Sequence, residues 1–136
     1  MSQENVEVME AAIAAVRRGD LDGFLSLVHP EIEFRSLVAE AEGRVFRGPE
    51  GVREWWDSVI RALAIRPTPG KIESFRDRGI NSLSLAGTVE GVEVPQEQWM
   101  AWRVRDGLVI WWETFRTEAE ALEAVGLSEQ GAHSDS

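Results

Sequence analysis

Between Trp99 and Phe115 the chain reads WMAWRVRDGLVIWWETF, a stretch that sets one carboxylate, Glu113, among tryptophans. A carboxyl group in apolar surroundings loses the hydration of its charged form, so its pKa rises and it becomes a usable general acid or base near neutral pH. Arg35 is the basic residue read beside it, either to orient Glu113 or bind an anionic group, or to form a plain ion pair at the pocket wall. The other chemistry-bearing residue types are sparse. There is no cysteine, hence no disulfide and no thiol nucleophile, and no tyrosine. The two histidines, His29 and His133, lie too far apart in sequence to build a histidine-rich metal site. His29 precedes Pro30 and reads as a helix-end residue rather than a base. The expected chemistry therefore requires neither a metal nor an organic cofactor.

The elements that must position Glu113 begin with a hairpin. Asp106-Gly107 lies between two alternating apolar runs, and such a pair favours a two-residue turn with positive φ at both positions. With Arg105 opposite Leu108, an unbroken register puts Val104 against Val109, Trp102 against Trp111, Met100 against Glu113 and Gln98 against Phe115 on one face. The other face then carries Trp99, Ala101, Arg103, Ile110, Trp112 and Thr114. Both faces hold large apolar groups, so each needs a cover. Helices cover one, as a pocket lined by Met100, Trp102, Trp111, Phe115 and either Trp55 or Trp56. The other, with Trp99 and Trp112, is read as a homodimer surface or as a face packed under the last helix.

Upstream, Val6, Met9, Ile13 and Val16 recur at helical spacing until Gly19. Asp20 caps a second helix that presents Leu21, Phe24, Leu25 and Val28 and stops at His29-Pro30. Glu31 to Leu37 alternates as a strand, and 39–47 reads as a loop. Gly48-Pro49 opens a third helix with an apolar stripe at Val52, Trp55, Trp56, Val59, Ile60 and Leu63. Pro67 to Gly70 reads as a turn. Strands are predicted over 71–77, 81–89, 92–105 and 108–115, with a bulge or free edge at Pro95. Thr117 and Glu120 form a capping box for a last helix that ends at Gly126. The layout is α+β: three helices in the N-terminal half, a curved antiparallel sheet and a short C-terminal helix. It makes one domain over 1–127, with a disordered tail at 128–136.

At 136 residues the chain suffices for one buried core. Acidic residues outnumber basic ones by 24 to 14, and a net charge of -10 opposes binding to nucleic acid or anionic lipid. No apolar run is long enough to span a bilayer and no secretory signal is visible. The expectation is a cytoplasmic protein.

The order of elements, the GPEGVREWW opening of the third helix, the RDGLVIWWETF hairpin and the closing EALEAVGL together resemble the SnoaL-like branch of the nuclear transport factor 2-like superfamily. The resemblance covers about Val6 to Leu127. It implies a cone-shaped fold, a pocket inside the cone and often a homodimer across the sheet. In the polyketide-cyclase members an acidic residue after a tryptophan on the last strand acts as acid/base, a role that falls on Glu113 here. Their assisting histidine would fall near Met100, which this chain does not match. A ketosteroid-isomerase site would need a carboxylate near Arg35 and a tyrosine, and an epoxide-hydrolase site an Asp-Arg-Asp set of which only Glu113 has a counterpart. The expected function is binding of a small apolar or aromatic molecule, with cyclase- or isomerase-type chemistry through Glu113. The alternatives are a non-catalytic binding module and an epoxide-hydrolase-like enzyme.

Overall fold

In a computed structural model, which describes residues 2–37, 44–89, 92–93 and 97–126, the local signals of the sequence become elements in the expected order. Helix α1 (Ser2–Arg17) is followed by the short α2 (Leu21–Leu25), where the Asp20 carboxylate accepts the Gly23 amide at 2.9 Å. That bond, with Arg18 beside it, holds the Asp20 carboxyl below the usual carboxylate range. The second helix is shorter than the sequence suggests. Val28 leaves it to start β1 (Val28–Arg35), because it pairs with Val109, whose amide donates to the Leu27 carbonyl.

After β2 (Phe46–Arg47), Gly48 at φ +67 and Pro49 start α3 (Gly48–Trp55), which widens into a π-helical turn over Trp56–Arg61. All six residues of its apolar stripe are buried. The stretch expected as a turn at Pro67 to Gly70 instead belongs to β3 (Arg66–Phe75). This strand forms one edge of the sheet, where a proline's missing N–H is tolerated, and its register shifts between Pro69 and Ile72. Then come β4 (Arg78–Ala86), the small hairpin β5 (Thr88–Val89) and β6 (Val92–Glu93), β7 (Glu97–Arg105), β8 (Leu108–Phe115) and α4 (Glu118–Ala124). The expectations for Pro95, for most of the 39–47 loop and for the tail lie outside the described residues.

Six strands form one curved sheet in the order β2-β1-β8-β7-β4-β3. Every pair is antiparallel except β1 with β8, which run parallel. The N-terminal helices close over the concave face and bury the main core. Helix α4 lies on the opposite face over a smaller cluster of Ile80, Ala101, Ala121, Leu122 and Val125. Its N-cap forms, the Thr117 hydroxyl accepting the Glu120 amide at 3.2 Å and donating to the Glu120 carboxylate at 3.1 Å, and Arg78 donates to the Val125 carbonyl at its other end.

The Asp106-Gly107 turn has φ of 55° and 76°, as the hairpin signal requires. The register beyond it is not the unbroken one. Val104 faces Val109, but Arg103 faces Trp111, so Ile110 is an extra residue in β8. From there Trp102 pairs with Trp112, Ala101 with Glu113, Met100 with Thr114 and Trp99 with Phe115. A one-residue slip exchanges the faces of every later side chain. Trp112 and Thr114 therefore point to the concave side, and Trp111, Glu113 and Phe115 to the other.

Trp102, with 0% exposure, anchors the centre of the sheet. Its indole N–H donates to the Asn81 carboxamide oxygen at 3.1 Å, and its ring lies over Gly79 on the neighbouring strand. A Cβ at Gly79 would collide with that ring and with the Glu73 carbonyl. Gly79→Ala is expected to lower the unfolding free energy by about 1–3 kcal/mol, the usual range for overpacking, as measured by urea denaturation.

Candidate functional site

The concave face and its helical cover enclose a cavity of about 600 Å³ of space, counted to its open side. Helix α1 contributes Met9, Ala12, Ile13 and Val16, the same spacing that makes it amphipathic. Trp55 leads in from α3, and the π-helical turn adds Val59 and Ile60. The sheet supplies Leu83 and Leu85 from β4, Gln98 and Met100 from β7, and Trp112 and Thr114 from β8.

Aromatic rings form one wall. Phe34 stacks on Trp112 with centroids 4.7 Å apart, and Trp55 meets both edge-on, at 5.2 Å and 5.1 Å. Such contacts add to area burial and hold the rings in place. Trp56 packs behind Trp55 against Phe24.

The structure thus brings together only part of the expected site. Trp55 and Met100 line the cavity. Trp56 and Trp102 are buried in the core behind it. Trp111 and Phe115 lie half-buried on the opposite face beside Trp99, packed against the α4 cluster. Trp112, read from an unbroken register as part of a dimer surface, is instead 5% exposed at the cavity wall.

Glu113 also stands on the α4 side, opposite Ala101 and beside Arg35 of β1. Partial burial raises its pKa above the usual carboxylate value, and the Arg35 cation pulls it partly back. The surroundings expected for this carboxylate are therefore present in kind, but on the other side of the sheet.

Among the described residues that line the cavity, none is titratable. Its polar side-chain groups are those of Ser36, Gln98 and Thr114 and the indole N–H groups of Trp55 and Trp112. The Thr114 hydroxyl accepts the Leu37 amide at 2.8 Å and so ties β8 to the end of β1. Gln98 was not singled out in the sequence. The available signal was its parity: of Gln98, Met100, Trp102 and Val104, all facing inward, it alone is polar. Among the described residues no group of three His, Asp or Glu side chains is placed to hold a metal, and no helix is long and apolar enough to cross a membrane.

A curved α+β sheet closed by helices around an apolar cavity is a fold shared with solved structures, among them an NTF2-like protein from Burkholderia pseudomallei at 18% identity and a TM-score of 0.72 over 88% of this chain and 95% of that one. The family model described as SnoaL-like domain matches residues 9–112, and the chain belongs to that family. Among solved structures it is similar to TerC co-crystallised with polyporic acid, at 23% identity and a TM-score of 0.71 over 90% of this chain and 98% of that one. It is similar to a Mycobacterium tuberculosis protein in complex with estradiol-17beta-hemisuccinate, at 18% identity and 0.71 over 85% and 95%. It is also similar to Bal32a from a soil-derived mobile gene cassette, at 14% identity and 0.77 over 88% and 94%. A comparison with curated proteins finds no match.

The setting of Glu113 gives a pH prediction. A carboxyl whose pKa is raised on folding favours the folded state while protonated, and that contribution is lost as pH rises through its folded value. Glu113→Gln keeps the neutral form at every pH, and the exposed Arg35 is left solvated at little cost. The variant is expected to gain stability over the native chain as pH rises from the acid range to neutrality, with no gain below the usual carboxylate pKa. Thermal melts across that range check the sign.

Proposed function

We propose that this protein binds a small, largely apolar, ring-containing molecule in the cavity, as a ligand-binding module rather than through acid/base chemistry at Glu113. The observation that carries this reading is a cavity wall of apolar and aromatic side chains with no titratable group among its described residues. Polyporic acid and estradiol-17beta-hemisuccinate, held by two similar structures, are both ring-bearing molecules and support the choice of ligand class.

A cyclase-type reaction is the second reading, favoured by the raised pKa of Glu113. It needs a substrate on the α4 side of the sheet. Naphthalene titrated calorimetrically into the native chain tests the first reading. Binding is expected, unchanged by Glu113→Gln and weakened by about tenfold or more in Leu83→Trp, which fills the cavity. Failure of the native chain to bind naphthalene or either of its hydroxyl- and carboxylate-bearing analogues, loss of binding in Glu113→Gln, or undiminished binding in Leu83→Trp would remove this reading.

The half-buried Trp99, Trp111 and Phe115 beside one another on the α4 side further support pairing of two copies across that face. Sedimentation equilibrium is expected to give a dimer for the native chain and a monomer for Trp99→Glu. A native monomer would end the proposal.

A further inference from the structure

The cavity wall contains polar atoms that the protein does not use. Gln98 is 3% exposed, and among the described residues neither its carboxamide oxygen nor its nitrogen has a hydrogen-bond partner. The indole N–H of Trp55, 5% exposed on another wall of the same cavity, is likewise without one. Buried polar groups are nearly always paired, because leaving a donor or acceptor dry forfeits its hydration. The contrast within this sheet is direct. The neighbouring buried amide, Asn81, accepts from Trp102 and donates to the Ser82 carbonyl, and it does not line the cavity.

Gln98 stands opposite Leu83 on β4, two residues along from Met100, in a row that is otherwise apolar. Leucine at that position would pack as well and leave nothing unpaired, so packing does not account for the amide. From the geometry we infer that Gln98 and Trp55 form the polar subsite of the cavity, and that its ligand is an uncharged ring compound carrying a group that both donates and accepts, such as a hydroxyl. This inference rests on the proposed binding function.

The carboxamide offers an oxygen for the ligand's donor and an N–H for its acceptor, and the Trp55 N–H adds a second donor. An anionic end is disfavoured twice. No Lys, Arg or His is among the described lining residues, and the chain's net charge of -10 repels it. A purely apolar ring leaves the subsite dry and loses affinity for that reason.

The test compares three probes of one shape, naphthalene, 2-naphthol and 2-naphthoate, by calorimetry at neutral pH on the full chain and on Gln98→Leu and Trp55→Phe. The native chain is expected to bind 2-naphthol about tenfold more tightly than naphthalene, the yield of one well-made buried hydrogen bond, and 2-naphthoate more weakly than 2-naphthol. In Gln98→Leu the preference for the hydroxyl should fall to within about twofold, and in Trp55→Phe it should shrink. Because Gln98→Leu removes two unpaired atoms, the empty variant should also melt higher than the native chain. A structural amide would give the reverse, so a lower melting temperature or failure to fold overturns the inference. So does equal native binding of naphthalene and 2-naphthol, tighter binding of 2-naphthoate, or an undiminished preference in Gln98→Leu. If none of the three probes binds the native chain, the binding function itself falls. If naphthalene binds without any preference, only the polar subsite does.

Discussion

Between Val104 and Arg103 the β7 backbone advances one residue while its partner advances two, from Val109 to Trp111. Two bonds outside the hairpin accompany this bulge. The Val104 amide donates to the Asp77 carbonyl at 2.7 Å and the Val109 amide to the Leu27 carbonyl at 2.9 Å, so both strands are tied to different neighbours where their own pairing slips. Everything beyond Ile110 inherits the shift. Trp112 turns inward onto Phe34, Thr114 reaches the Leu37 amide, and Glu113 turns outward to Arg35.

The cavity follows from that placement together with the length and direction of the covering helices. Phe34 packs against both Trp112 and Trp55, whose rings line the cavity and meet edge-on, while α1 contributes Met9, Ala12, Ile13 and Val16 to its lining. Trp102 fills the centre of the sheet because Gly79 leaves room for its ring and Asn81 satisfies its N–H. An apolar wall that is braced in this way keeps its space without collapsing onto itself, and a cavity of that kind needs few polar groups to orient a ligand.

Features set by local interactions were legible in the sequence. The stripes of α1 and α3, the Asp20 cap, the Thr117 cap with Glu120 and the Asp106-Gly107 turn each depend on residues within a few positions of one another, and each appears in the structure. The features that escaped depend on distant partners. Val109-Ile110-Trp111-Trp112 holds no glycine or proline to mark a bulge, and the slip makes sense only once β1 lies alongside. Pro67 and Pro69 suit an edge strand as well as a turn, and only the strand order distinguishes them. In the same way Val28 continues a helical stripe until its pairing with Val109 is known. The family pattern led to Glu113 as the residue after a tryptophan on the last strand, whereas the inward parity pointed to Gln98.

The inward placement of Trp112 and the outward placement of Glu113 both depend on the register of β7 against β8, which is directly measurable. Cross-strand nuclear Overhauser contacts between backbone protons are expected to link Ala101 with Glu113, Trp102 with Trp112 and Trp99 with Phe115. Contacts linking Met100 with Glu113 and Trp102 with Trp111 would mean an unbroken hairpin, return the carboxylate to the cavity and contradict the structure of the site.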